Sequence, residues 1–168
     1  MRRIAIITVS DRSARNERAD KSGKVLQAIA EKQGWVIASY QVVPDERKII
    51  ADALRELADA KQVDLILTTG GTGLAVRDVT PEATRDVVEK EVPGLAEAMR
   101  SASMEKTHHA MLSRALCGIR GRSLMVNLPG SPKAVTENME VILPALPHAM
   151  DLLAGQVSDC QEQRTAGD

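Results

Sequence analysis

The chain has 168 residues, of which 43% are hydrophobic and 27% charged, an ordinary globular composition for about one domain. Its formal charge of −1 argues against a nucleic-acid or anionic-membrane partner, because such binding needs many phosphate-neutralising cations. Aromatics are 1% with Phe absent, so the core must be aliphatic and base stacking on aromatic platforms is nearly excluded.

The first strand is expected at Ile4–Val9, a β-branched, almost wholly apolar run suited to a strand covered on both faces. It ends at Ser10-Asp11, too soon for a signal peptide. A polar loop follows. Around it, residues 1–24 carry Arg2, Arg3, Arg12, Arg15, Arg18, Lys21 and Lys24 against Asp11, Glu17 and Asp20, a net +4 that suits a phosphorylated ligand or a solvated face. Ser22–Gln33 reads as a helix with Val25, Leu26, Ile29 and Ala30 on one stripe and Gly34 as its stop.

Trp35–Val43 is the second expected strand, broken by Pro44-Asp45. Asp45 stands where it could N-cap a helix bearing Ile49, Ile50, Ala53, Leu54, Leu57 and Ala58. Val63–Thr68 is the third strand, followed by the turn Thr69-Gly70-Gly71-Thr72-Gly73. Thr80-Pro81 reads as N-cap and first position of a helix to about Glu89, and Pro93-Gly94 opens another to Met104, with a helical piece continuing to Leu116. Ser123–Asn127 is the fourth strand. Lys133–Leu153 is helical with a bend at Pro144 and a stop at Gly155. One domain is expected over residues 1–155, with 156–168 as a frayed tail.

Strands alternating with helices imply right-handed βαβ units and a mostly parallel sheet flanked by helices, an α/β sandwich. Ligands in such folds bind beyond the carboxyl ends of the strands. Here those ends deliver Ser10-Asp11, Pro44-Asp45, the glycine turn, and Asn127-Leu128-Pro129-Gly130-Ser131-Pro132.

The glycine turn has little Cβ bulk, so its amides could form an anion-binding nest. It lacks the Lys-Ser/Thr of a Walker loop, and Val76 stands where a dinucleotide fingerprint needs its third glycine, which counts against a nicotinamide-dependent oxidoreductase. Asp45 and Asp78 are candidate holders of a hard cation that bridges phosphates. Asp45 could instead only cap a helix, Asp78 could pair with Arg77 or cap the next helix, and Asp11 could only form a turn. Ser131-Pro132 opens the last helix, whose amides could hold a second phosphate.

His108, His109 and His148 lack metal-ligand spacing. Met99, Met104, Met111, Met125, Met139 and Met150 are expected as core fillers, and Cys117 as a small buried hydrophobe. Cys117 and Cys160 have no CxxC spacing, which fits a reducing cytoplasm. No apolar run reaches the ~20 residues of a membrane span. No GxSxG elbow appears. What remains is phosphate cradles and carboxylates without a covalent nucleophile, a set suited to direct attack of one bound phosphate on another.

Taken together, Thr68-Thr69-Gly70-Gly71-Thr72-Gly73, Arg77-Asp78-Val79-Thr80-Pro81-Glu82-Ala83, Pro93-Gly94, Met99-Arg100, Leu112-Ser113-Arg114 and Asn127–Pro132 resemble the molybdopterin adenylyltransferases, the MogA/MoaB family related to the gephyrin G domain. The likeness runs from about Ile4 to Gly155. It implies a three-layer α/β fold, usually homotrimeric and cytoplasmic, that binds molybdopterin and ATP with Mg²⁺. Such an enzyme releases pyrophosphate and passes adenylylated molybdopterin to a molybdenum-insertion protein.

By the resemblance, Asp45 and Asp78 are the catalytic and metal-binding carboxylates. Thr69, Gly70, Gly71, Thr72 and Gly73 form the substrate loop, and Ser10, Asp11, Ser103, Ser113, Asn127, Pro129, Gly130 and Ser131 line the pocket. The alternative within the same resemblance is a molybdopterin carrier or scaffold without transfer activity. Two departures stand out: Arg15-Asn16 occupies a place where relatives often have glycine, which asparagine's tolerance of left-handed backbone would accommodate, and Lys24 replaces a common proline. Leu74-Ala75-Val76 is a variable stretch.

Overall fold

A computed structural model describes residues 1–60 and 63–156. The expected tail from residue 157 onward, and Cys160 with it, lie outside the described residues. In chain order the elements are β1 (Arg3–Val9), α1 (Asp11–Ala14), α2 (Ser22–Lys32), β2 (Val36–Val43), α3 (Arg47–Arg55) with a π-helical turn at Glu56–Ala60, and β3 (Leu65–Thr69). There follow α4 (Thr80–Arg85), β4 (Lys90–Glu91), α5 (Pro93–Met104), a 3₁₀ turn at His108–Leu112, β5 (Cys117–Arg120), β6 (Ser123–Leu128), α6 (Pro132–Ile142) and α7 (Leu146–Leu153).

The strands form one sheet in the order β2-β1-β3-β6-β5-β4. The first four are parallel, and β5 and β4 add an antiparallel edge. Alternation along β1 explains its continuous apolar run. Ile4 and Ile6 pack with Leu26, Leu67, Leu124 and Met139 on one face, while Ala5, Ile7 and Val9 pack with Ile50, Leu54, Ile66 and Met125 on the other. Two cores on one sheet make three layers, each fully buried Ile or Leu contributing about 1.5–3 kcal/mol relative to exposure.

Several expectations are corrected. The α3 cap is Glu46, without a side-chain cap bond, and not Asp45; Asp45 instead accepts an amide from the β1 loop. Ile49, expected on the inner stripe, is 44% exposed. α4 begins at Thr80 with Val79 as its cap and ends at Arg85, because the chain must turn into β4. The helical piece expected to reach Leu116 stops as a 3₁₀ turn at Leu112, and β5 has no counterpart among the expected elements. The polar loop after β1 contains the short α1. Met104 and Met111 are exposed and fill no core, whereas Met99, Met125, Met139 and Met150 do.

Asn16 does take the left-handed conformation, with φ 59°. The bend near Pro144 separates α6 from α7, since proline offers no amide to continue the ladder. Among the described residues no helix is long and apolar enough to cross a membrane.

Candidate active site

The chain leaves β1 for β2 on one side and returns to β3 on the other, so the loops after β1 and β3 part between them. This is the switch point at which open α/β sheets bind ligands. A polar cavity of about 230 Å³ lies there, lined by the ends of β1 (Thr8 to Ser10) and β3 (Thr69 to Gly71), by Asp45 and Asp78, and by Gly130 and Pro132 after β6.

Gly70 and Gly71 shape its floor. At φ 100° and 66° both lie in the left-handed region that disfavours a side chain. A Cβ on Gly70 would sit 2.3 Å from the Val9 carbonyl, and one on Gly71 would sit 2.3 Å from Thr80 Oγ1 and 3.3 Å from Asp45 Oδ1. Backbone can therefore approach a ligand where no side chain would fit. The turn is pinned from below: Gly70 N–H donates to the Leu128 carbonyl at 3.1 Å, Thr80 Oγ1 to the Gly70 carbonyl at 2.9 Å, and Thr69 Oγ1 to the Pro129 carbonyl at 2.7 Å.

Asp11 and Asp45 exchange hydrogen bonds. The Asp11 amide donates to Asp45 Oδ2 at 2.7 Å and the Asp45 amide to Asp11 Oδ1 at 3.1 Å, which ties the β1 and β2 loops together. Arg77 binds both Asp11 oxygens and reaches Glu46 at 2.7 Å, adding the β3 loop. The guanidinium of Arg77 holds the Asp11 carboxyl below the usual range. Asp45 is shifted the other way: burial pushes its carboxyl up, and the neighbouring charges of Asp11 and Asp78 add to that.

Asp78 is thus not the partner of Arg77. Its Oδ2 accepts the Ala75 amide at 2.9 Å and lies 2.8 Å from where a Gly73 Cβ would be. Arg114 holds this segment. Its guanidinium donates to the Gly73 carbonyl at 2.8 Å, to the Asp78 carbonyl and to Glu82, while its own amide donates to the Thr72 carbonyl at 3.0 Å.

Across the glycine turn lies a second, mostly apolar cavity of about 280 Å³, lined by Thr72, Gly73, Met99, Ser103, Ser113 and Pro129 among others. Thr69, Gly70 and Gly71 thus face the first cavity and Thr72 and Gly73 the second. Asn127 backs the second, but its amide is committed to the core. Nδ2 donates to Thr68 and Thr84 Oγ1, both at 2.9 Å, and Oδ1 accepts the Leu116 amide at 3.2 Å. Ser131 Oγ caps α6 by accepting the Ala134 amide at 3.1 Å. Ser10 Oγ caps α1 in the same way, from the Ser13 amide at 3.2 Å.

Reading the sequence did not single out Arg18, Lys21 and Asp20 individually, yet all three line the polar cavity; the basic excess of residues 1–24 was the available signal. Burial pushes the Asp20 carboxyl up, but hydrogen bonds from Thr8, Tyr40 and the Gly23 amide outweigh it and hold it below the ordinary range. Burial pushes the Cys117 thiol up to about 12, which leaves it a poor nucleophile. Among the described residues no group of three or more His, Cys, Asp or Glu is arranged to hold a metal ion.

A family model described as a probable molybdopterin binding domain matches residues 5–148. A molybdopterin adenylyltransferase of Helicobacter pylori J99 is 41% identical over 95% of this chain and 92% of its own length. Gephyrin of Dictyostelium discoideum is 42% identical over 89% of this chain, which corresponds to 22% of that larger protein. The crystal structure of the molybdopterin biosynthesis enzyme MoaB from Thermus thermophilus superposes with a TM-score of 0.87 at 50% identity, covering 92% of this chain and 98% of that one. The chain belongs to the molybdopterin-binding MogA/MoaB family of molybdenum cofactor biosynthesis.

Proposed function

We propose that this chain adenylylates molybdopterin. A phosphate oxygen of molybdopterin attacks the α-phosphorus of ATP, the new P–O bond forms as the bond to the β-phosphate oxygen breaks, and pyrophosphate leaves with the electron pair. The observation that carries this reading is the meeting of Asp45, Asp78 and the diglycine at one polar cavity, with an apolar cavity across the same turn. Phosphates fit the first and a flat heterocycle the second. No protein nucleophile is required, so the residues act by orientation and electrostatics.

Asp45 and Asp78, together with substrate phosphates, would hold Mg²⁺, which when bound neutralises the reacting oxygens. The donor set fits that ion: Asp45 and Asp78 open onto the same polar cavity, and two carboxylates leave the remaining positions to phosphate and water. Lys21 and Arg18 add cations on the polar wall, the Ser10 hydroxyl keeps its proton for donation, and the amide-rich turn faces the anions. The expected setting is a cytoplasmic homotrimer that passes its product to a molybdenum-insertion protein.

The test is pyrophosphate release from purified protein given molybdopterin, ATP and Mg²⁺. Wild type releases it. Asp78→Asn keeps its fold and ligand binding while losing transfer by at least about a hundredfold, the scale of removing one preorganised electrostatic group. No release from wild type that binds molybdopterin would assign the chain to the carrier class.

A further inference from the structure

We infer that Asp20 is a positioning residue for the nucleotide: its carboxylate ties residues 18–22 to β1 and β2, so that two uncommitted cations, Arg18 and Lys21, are held on the wall of the polar cavity. The inference rests on the function proposed above and deepens it by naming what fixes the cationic wall.

A carboxylate has about four lone-pair sites, and the fold fills all of those of Asp20. Thr8 Oγ1 donates to Oδ2 at 2.6 Å and the Tyr40 hydroxyl donates to the same oxygen, while Oδ1 accepts the Gly23 amide at 2.9 Å and Ser22 Oγ at 3.4 Å. The donors come from β1, β2 and the first turn of α2, three elements joined at one side chain. Gly23 lets the joint close, since a Cβ there would overlap Asp20 Oδ2, Thr8 Oγ1 and the Tyr40 hydroxyl. On the outside, the Lys24 ammonium stands 5.0 Å from the centre of the Tyr40 ring, a cation–π contact that steadies the phenol. Proline at position 24 could make no such contact.

Arg18 and Lys21 are the opposite of Asp20 in their commitments. Both line the polar cavity, and among the described residues neither forms an ion pair or a side-chain hydrogen bond. Lys21 follows Asp20 directly and Arg18 precedes it by two residues, so the carboxylate fixes the backbone from which both cations project. A long side chain on fixed backbone gives up less freedom when a phosphate arrives. Asp20 itself has no lone pair to spare, and its negative charge repels phosphate. Removing that charge alone would tighten ATP binding, whereas releasing the segment would weaken it. Charge and position act in opposite directions, and the sign of the change separates them.

Titration calorimetry of ATP with Mg²⁺ reads this without turnover, with molybdopterin binding and pyrophosphate release followed on the same proteins. Asp20→Asn keeps the side-chain shape but offers one acceptor oxygen in place of two. It should bind ATP at least about tenfold more weakly, within the hundredfold that a misplacement of about 1 Å can cost, while molybdopterin affinity and the rate at saturating ATP stay unchanged. In a Lys21→Gln background the same substitution should cost less, because one of the cations it positions is already gone. Tyr40→Phe keeps the carboxylate and every residue that lines the cavity; it should weaken ATP by about threefold, the loss of one donor, and it decides the matter if Asp20→Asn does not fold. ATP binding in Asp20→Asn as tight as in wild type or tighter, an equal loss for ATP and molybdopterin, full additivity with Lys21→Gln, or unaltered affinity in Tyr40→Phe overturns the positioning role while leaving transfer by wild type standing. Wild type that neither binds ATP nor releases pyrophosphate overturns the proposed function and this inference with it.

Discussion

Asp45 carries a cost to the fold that its chemistry explains. Its carboxyl is pushed up by burial and by the charges of Asp11 and Asp78, so between its unfolded and folded values the folded chain binds more protons than the unfolded one. Stability therefore falls as pH rises through that window and stays lower above it. Asp45→Asn keeps an oxygen to accept the Asp11 amide and removes the charge. The variant should melt at a higher temperature than wild type at pH 7, and the gap should close as pH falls below the window; calorimetry across pH measures both. A lower melting temperature at pH 7 would mean that the reciprocal Asp11–Asp45 bonds need the full carboxylate charge. Asn127 shows the converse at the same scale. Its position at the end of β6 made it a candidate for ligand contact, but its whole amide is bound to Thr68, Thr84 and Leu116 inside the core, a commitment that no spacing in the sequence displays.

At the scale of elements, Arg114 is the residue that joins the glycine turn to α4. One guanidinium satisfies the carbonyls of Gly73 and Asp78 and the carboxylate of Glu82. Arg114→Met should leave those acceptors unmatched and lose about 1–3 kcal/mol of stability in urea unfolding. Replacing Glu82 by Gln in the same chain should restore part of that loss, because the stranded carboxylate charge goes with it. Stability equal to wild type for Arg114→Met would show that water replaces all three bonds at no cost. The turn and the Leu-Ser-Arg segment were both visible as sequence, but their mutual contact was not, since 41 residues separate Gly73 from Arg114. The same limit hid the antiparallel edge. β4 is two charged residues, Lys90 and Glu91, too short for any alternation, and β5 follows a 3₁₀ turn that carries the local pattern of a helix. β1, β3 and β6 were legible because burial on both faces demands an unbroken apolar run, and residues 4–7, 65–67 and 124–126 each supply one.

For the molecule as a whole, the decisive arrangement is that the loops after β1, β2, β3 and β6 open onto one crevice, the first three stapled to one another by Asp11, Asp45 and Arg77 and the last tied to the glycine turn through the Leu128 and Pro129 carbonyls. A ligand that contacts all four loops binds the folded chain and not the unfolded one, so occupancy raises stability by mass action: about 2.7 kcal/mol at a hundred times the dissociation constant. For a chain of this size each kcal/mol moves the midpoint by roughly 2–4 °C. ATP with Mg²⁺ should then raise the melting temperature by roughly 5–10 °C at saturating concentration. NAD should leave it unmoved. The turn that would have to cradle its pyrophosphate lacks the third glycine of a dinucleotide site, and Val76, which stands in that place, is 97% exposed on a loop outside the polar cavity. Thermal melts with each nucleotide, run at matched concentration, decide between the two. An equal shift with NAD would mean that the crevice grips any adenine nucleotide through its phosphates alone, and the case for transfer would then rest on pyrophosphate release.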